Sequence, residues 1–266
     1  RLGFFIWNFL KSIMDPLFKV KEAHENGIIP EDTFELIKKR FELIISGIDR
    51  IEKASNVNFP IAYVDPSVVI SKSKSFQYGI LFARTIPFEY ENKVNVMIQI
   101  SAPLVAYGLK GTIHAILALE FLHYLELISR ISNMEMISDE ISSNLFENVF
   151  TDNTKLFKPQ SVFNDKTLIS HITKRFPLGF HDYKLESKTE KFWIKKNLPV
   201  TNITLDTNTT MISSSSLSKV KIQPKLLQKL KQFEQKNSKT RNKKYYWLNS
   251  VNPHLPQVFL SLCSDI

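Results

Sequence analysis

Three side chains able to move protons or hold a cation share one side of a stretch that is otherwise almost wholly apolar. They are Glu120, His123 and Glu126, within GTIHAILALEFLHYLELISRIS at residues 111–132. A run that is apolar nearly all round predicts a buried helix. At about 100° per residue, with Leu119 as origin, Glu120 falls near 100°, His123 near 40° and Glu126 near −20°. The three therefore share one broad side, while His114 falls on the opposite side. Burying such groups without partners is costly, so each needs a reason to be there. A carboxylate and an imidazole one turn apart can exchange a proton or present ligands to a cation. They can equally form a satisfied polar cluster in a core. In that reading His123 bonds Glu120 or Glu126, and Glu126 pairs with Arg130 at i+4.

The five residues Leu119, Glu120, Phe121, Leu122 and His123 resemble the H-E-x-x-H helix of zincin-type zinc metallopeptidases. The glutamate and the second histidine match, and Leu119 stands where the first histidine belongs. The resemblance covers roughly residues 20–160. It implies an α+β fold in which a small, twisted, mostly antiparallel sheet precedes a buried active-site helix, with further helices after it. In that fold the last strand forms the edge of the cleft, and the strand 94–100 precedes the helix closely. The resemblance also implies a role for each matching residue. Glu120 corresponds to the catalytic base, His123 to a metal ligand, and a glutamate on a following helix to a third ligand. Glu147 is the preferred candidate, within LFENVFTD, and Glu140 is the alternative. The metzincin ligand six residues after His123 is excluded, since Ser129 stands there. Zinc is the cofactor of relatives, and a peptide or protein would be the substrate in the cleft. Leucine offers no lone pair to zinc, and two protein ligands fall short of the three that catalytic zinc keeps. The chain is therefore expected to be impaired or inactive in hydrolysis. His171 or His181 could replace the ligand from a loop, with solvent contact as the alternative for both. Leu119 is either a genuine pseudoenzyme change or a single-site variant or sequence error in an active family member.

Other elements must place this helix. Residues 32–54 predict a long amphipathic helix, with Phe34, Ile37, Phe41, Ile44, Ile48 and Ile51 at spacings of three and four. Residues 60–65, 67–70, 78–86 and 94–100 are rich in β-branched and aromatic residues and predict strands. Helices are expected over 138–151, 167–176, 184–197 and 224–235. Together these assign an apolar N-terminal extension to 1–13 and a zincin-like domain to 14–200. A flexible Thr/Ser/Asn linker follows over 201–218, then a basic C-terminal tail over 219–266. Met14 reads as a natural start, with residues 1–13 as upstream sequence.

The composition fits a globular protein with a sizeable core: 266 residues, 43% hydrophobic and 23% charged. Seven glycines and no Gly-rich loop argue against a Rossmann or P-loop nucleotide site. The single cysteine, Cys263, excludes an intrachain disulfide and fits a reducing, cytoplasmic setting. The apolar run 2–10 is too short to span a bilayer, and no membrane span is expected. The net charge of +9 is concentrated in one place. Ten Lys and Arg lie between Lys219 and Lys244 against one acid, Glu234, which accounts for the whole excess. The alternative to a metallopeptidase-like protein is thus a non-enzymatic α+β binding module. Its basic tail, residues 219–247, would make weak contact with nucleic acid through cations beside Tyr245, Tyr246 and Trp247. A solvated, disordered tail is the plainer reading of the same stretch.

Overall fold

A computed structural model of the chain describes residues 15–71, 79–90, 93–132, 157–175, 182–203 and 222–251. Three helices lead in: α1 (Phe18–Glu25), α2 (Glu31–Arg40) and α3 (Glu42–Ser55). The single helix expected over 32–54 is two, because the backbone breaks at Phe41, between α2 and α3. Acids begin α2 and bases end it, in the sense that its dipole favours. Asn56 ends α3 in the left-handed conformation, which asparagine adopts more readily than most residues.

Five strands follow: β1 (Ile61–Asp65), β2 (Val68–Ser71), β3 (Gly79–Leu81), β4 (Ala83–Tyr90) and β5 (Lys93–Ser101). Next come α4 (Ala102–Tyr107), α5 (Lys110–Ser132), α6 (Pro159–Val162), α7 (Lys166–Arg175) and α8 (Tyr183–Phe192). A short 3-10 turn, Ile194–Lys196, leads to β6 (Val200–Ile203), and α9 (Pro224–Val251) comes last. The architecture is mixed α+β with two three-stranded sheets, ordered β1-β5-β4 and β3-β2-β6.

Two expectations about the sheet need correction. It is not mostly antiparallel: β4 and β5 pair antiparallel, but β1 runs parallel to β5, and the second sheet is mixed in the same way. Nor is the last strand, β5, at the edge, since β1 and β4 flank it. The physical reason is the connection. Only two residues separate β4 from β5, too few for anything but antiparallel pairing, whereas the long path from β1 to β5 permits the parallel register Ile61↔Met97 to Asp65↔Ser101.

The central helix α5 is covered on several sides, by α3, α7, β4 and α9. Its residues from Thr112 to Leu127 are all buried. By length and composition alone it could cross a membrane, yet here it forms the middle of the core. Its start is held by the α4–α5 corner. A Cβ on Gly108 would lie 2.5 Å from the Leu104 carbonyl oxygen, so only glycine allows this approach. Arg40 reaches across from α2 and donates to the carbonyls of Val105 and Gly108, which α4 leaves open at its C-terminal end.

The C-terminal stretch departs most from expectation. Residues 201–203, assigned to the linker, form a strand parallel to β2. The basic segment is not a disordered tail over 224–251: its helix runs well beyond the expected 224–235. Leu230 and Phe233 are buried in the common core, and Phe233 meets Phe157 edge-on with ring centroids 6.2 Å apart. Ser129 of α5 donates to Glu234 at 2.8 Å. Burial of an apolar face offsets the ordering entropy that the polar composition alone would not. Replacing Phe233 by alanine is expected to destabilise the protein by about 3–5 kcal/mol. Urea unfolding measures this, and an unchanged midpoint would show α9 undocked.

Candidate functional site

Glu120 and His123 occupy one side of α5 and meet there. The Glu120 carboxylate lies 3.6 Å from His123 Nδ1 through Oε2. Neither side chain reaches solvent, with exposures of 0% and 2%. The sheet supplies the third member: Thr85 on the edge strand β4 donates its hydroxyl to Glu120 Oε2 at 2.8 Å. The same hydroxyl lies 3.1 Å from the Glu120 carbonyl, so Thr85 joins β4 to the helix backbone as well as to the carboxylate. Thr85 pairs with Ile98 of β5, and strand alternation turns both toward α5. On the other face of the sheet, Tyr63, Gln99 and Arg84 form a row in register across β1, β5 and β4.

Arg84 donates to Gln99 within that row. Burial pulls the Arg84 guanidinium below its ordinary value, and Tyr63, Asp65 and Glu120 oppose that pull. Tyr63 is pushed up to about 12, first by burial and then by Asp65. Beside Glu120, burial raises Tyr124 to about 12. Phe121 stacks on Phe59 and packs against Phe163 and Tyr124.

Glu126 is drawn a different way. Its Oε1 accepts from Arg130 at 2.8 Å, one turn along the helix. Leu119, where the resemblance to zincins expects a histidine, is 2% exposed and belongs to the hydrophobic core. The residues in hand do not fit a zinc ion. Leu119 has no donor atom, and Glu120 Oε2 already accepts from Thr85. No group of three His, Cys, Asp or Glu that could hold a metal occurs among the described residues. Glu140 and Glu147, the candidate third ligands, lie outside the described residues, as does His181. Glu120 Oε1 is buried without a hydrogen-bond partner among the described residues. Such an atom is costly and rare in a core.

His171 does not turn toward this pair. It sits on α7 near enough to His114 to act on its charge, on the opposite side of α5. His114 has its own partners there. Ser46 donates its hydroxyl to the Leu43 carbonyl, so it accepts from His114 Nε2, 3.2 Å away. Arg50 can only donate, so His114 Nδ1 accepts from it at 3.4 Å. Both contacts describe a neutral imidazole with its proton on Nε2. Arg50 in turn donates to Asp165 at 2.6 Å. Ser46, Arg50 and Asp165, with Asp49, Lys53, Ala54 and Asn164, line an open pocket of about 520 Å³.

Sequence reasoning placed Glu120, His123 and Glu126 on one helix face, and it missed Thr85. The available signal was a hydroxyl in an otherwise apolar alternation, Ala83–Thr85–Pro87, on a strand expected to pack on the helix. It also missed the Ser46–Arg50–Asp165 set, whose members come together only through tertiary packing.

His114 gives the site a pH signature. Burial first, then the charges of Arg50 and Lys110, hold it below its ordinary value of 6.5. Between the folded value and 6.5 the unfolded chain binds this proton and the folded one does not. Its contribution is therefore complete above pH 6.5 and is lost as the pH falls toward the folded value. His114→Gln should flatten the fall in unfolding midpoint on acidification below pH 6.5. Equal slopes in the two proteins would show that His114 protonates freely in the fold.

Comparison of the chain with known protein families, with curated proteins and with solved structures finds no match.

Proposed function

We propose that this chain is a metallopeptidase-like protein of the zincin type whose metal site has lost a ligand, so that it does not hydrolyse peptides as it stands. One observation supports this above the others. A glutamate and a histidine, one turn apart on the central helix, are buried together beside a sheet edge, with a leucine buried at the position that the motif gives to its first histidine. A core with no functional history has little reason to bury a carboxylate whose second oxygen has no donor among the described residues. Thr85 supports the reading too, because it fixes the carboxylate from the edge strand that runs past the helix.

The burial also supports loss of activity. A hydrolytic site must admit its substrate, and solvent does not reach Glu120 or His123. With leucine at 119 the side closes on itself as a packed surface, and the Glu120–His123 contact remains as an internal polar pair. Zinc, peptide substrate and hydrolysis belong, on this reading, to relatives that carry the full motif.

Metal analysis of purified protein tests it. The chain as it stands should carry no stoichiometric zinc. Leu119→His should carry about one zinc per chain, since it completes the paired histidines of the helix. A second change, Glu120→Gln, should leave that zinc in place and abolish any peptidase activity gained. Zinc-free Leu119→His protein that remains folded would overturn the reading. So would stoichiometric zinc in the unaltered chain.

A further inference from the structure

Two ties hold in shape the pocket between α3 and the approach to α7. The Asn164 amide donates to the Ala54 carbonyl at 2.9 Å, and Arg50 donates to Asp165 at 2.6 Å. Asp165 is fixed in turn, because its Oδ1 accepts from the Leu168 amide in the first turn of α7. Its charge is thus met by Arg50 and by the helix. Arg50 has five donors and spends two, on Asp165 and His114, which leaves donors for a ligand. Asp49 and Lys53 line the same pocket and are exposed. They stand one turn apart on α3, a spacing that favours pairing, yet neither makes an ion pair among the described residues. The Asn164 side chain, also in the lining, adds a donor and an acceptor.

We propose that this pocket binds a small zwitterion of the α-amino-acid class. Its carboxylate lies against Lys53 and the unspent donors of Arg50, and its ammonium lies against Asp49. The balance of charge carries the assignment. Lys53 and Asp49 are unmet charges of opposite sign, while Arg50 and Asp165 answer each other. Residues four apart on a helix hold their Cβ atoms about 5–6 Å apart, so one small molecule can touch both. Phosphate fits poorly, because Asp49 and Asp165 both oppose it. A bare cation is opposed by Arg50 and Lys53. Ala54 is the one apolar residue in the lining, so an aromatic or fatty ligand lacks the apolar walls that hold such molecules. The volume, about 520 Å³, suits a small molecule.

The experiment uses the full chain labelled with ¹⁵N and follows the Asn164 side-chain amide during titration. The probes are L-alanine and its two single-charge relatives, propionate and ethylamine. L-Alanine should shift the Asn164 signal with a Kd of roughly 1 mM, and each relative should bind about tenfold more weakly. Lys53→Gln should bring alanine down to the level of ethylamine, and Asp49→Asn should bring it down to the level of propionate. Both residues are exposed and tie down no other element, and the ligand comparison on the parent stands without the variants. Propionate or inorganic phosphate binding as tightly as alanine would make this an anion site and overturn the proposal. Ethylamine binding as tightly would make it a cation site and do the same. An Asn164 signal that alanine leaves unmoved would show a solvated groove, and alanine binding unchanged in both variants would place the ligand elsewhere; either result overturns it.

Discussion

A helix that is apolar on every side is stable in water only where other elements cover every side. That constraint organises this protein. Lys110–Ser132 is such a helix, and the rest of the fold is largely its cover. The β1-β5-β4 sheet lies against one side and α3 against another, with α7 and α9 closing further sides. The close fit shows at Gly47 of α3, where a Cβ would come within 2.8 Å of Leu117 Cδ1 and 3.0 Å of His114 Cδ2. Complete cover leaves the polar groups on the central helix dependent on protein partners, and all but a few of their atoms find one. His114 takes Ser46 and Arg50, Glu126 takes Arg130, and Glu120 takes Thr85.

Much of this was legible from periodicity. The central helix and the strands at 61–65, 68–71 and 93–101 fall within a residue or two of where apolar spacing and β-branched content put them. Local patterns carry that information because backbone geometry repeats along the chain. The break at Phe41 was not legible, since apolar residues stay in phase across it and no proline or glycine marks it. Strand direction was hidden for a similar reason. Alternation says which residues face the core, not whether a neighbour runs parallel, and the β1–β5 pair depends on the path between them.

The polar partners divide in the same way. Glu120 with His123, and Glu126 with Arg130, are neighbours on one helix and could be read from spacing. Thr85, 35 residues from Glu120, and Asp165, 115 from Arg50, could not. Such contacts belong to the tertiary packing. The C-terminal helix shows the limit of composition. Its lysines and glutamines read as solvated, yet Leu226, Leu227, Leu230 and Phe233 are enough to fasten it, because they meet an apolar surface that α5 and α6 already present. Composition describes a segment alone, whereas docking depends on what the segment meets.

Leu119 connects the packing to the chemistry. An imidazole at that position would need a polar partner or a cation, since burial penalises an unpaired ring nitrogen. A leucine needs neither, and its burial contributes roughly 1.5–3 kcal/mol relative to exposure. Leucine at 119 therefore suits a fully covered helix better than an imidazole would. Nothing comparable acts on Glu120. Thr85 already holds one of its oxygens, so removing the carboxylate would leave the threonine hydroxyl without its side-chain acceptor in a buried position. Leucine at 119 and the carboxylate at 120 are thus each held by the packing around them, one by burial alone and the other by the Thr85 hydroxyl.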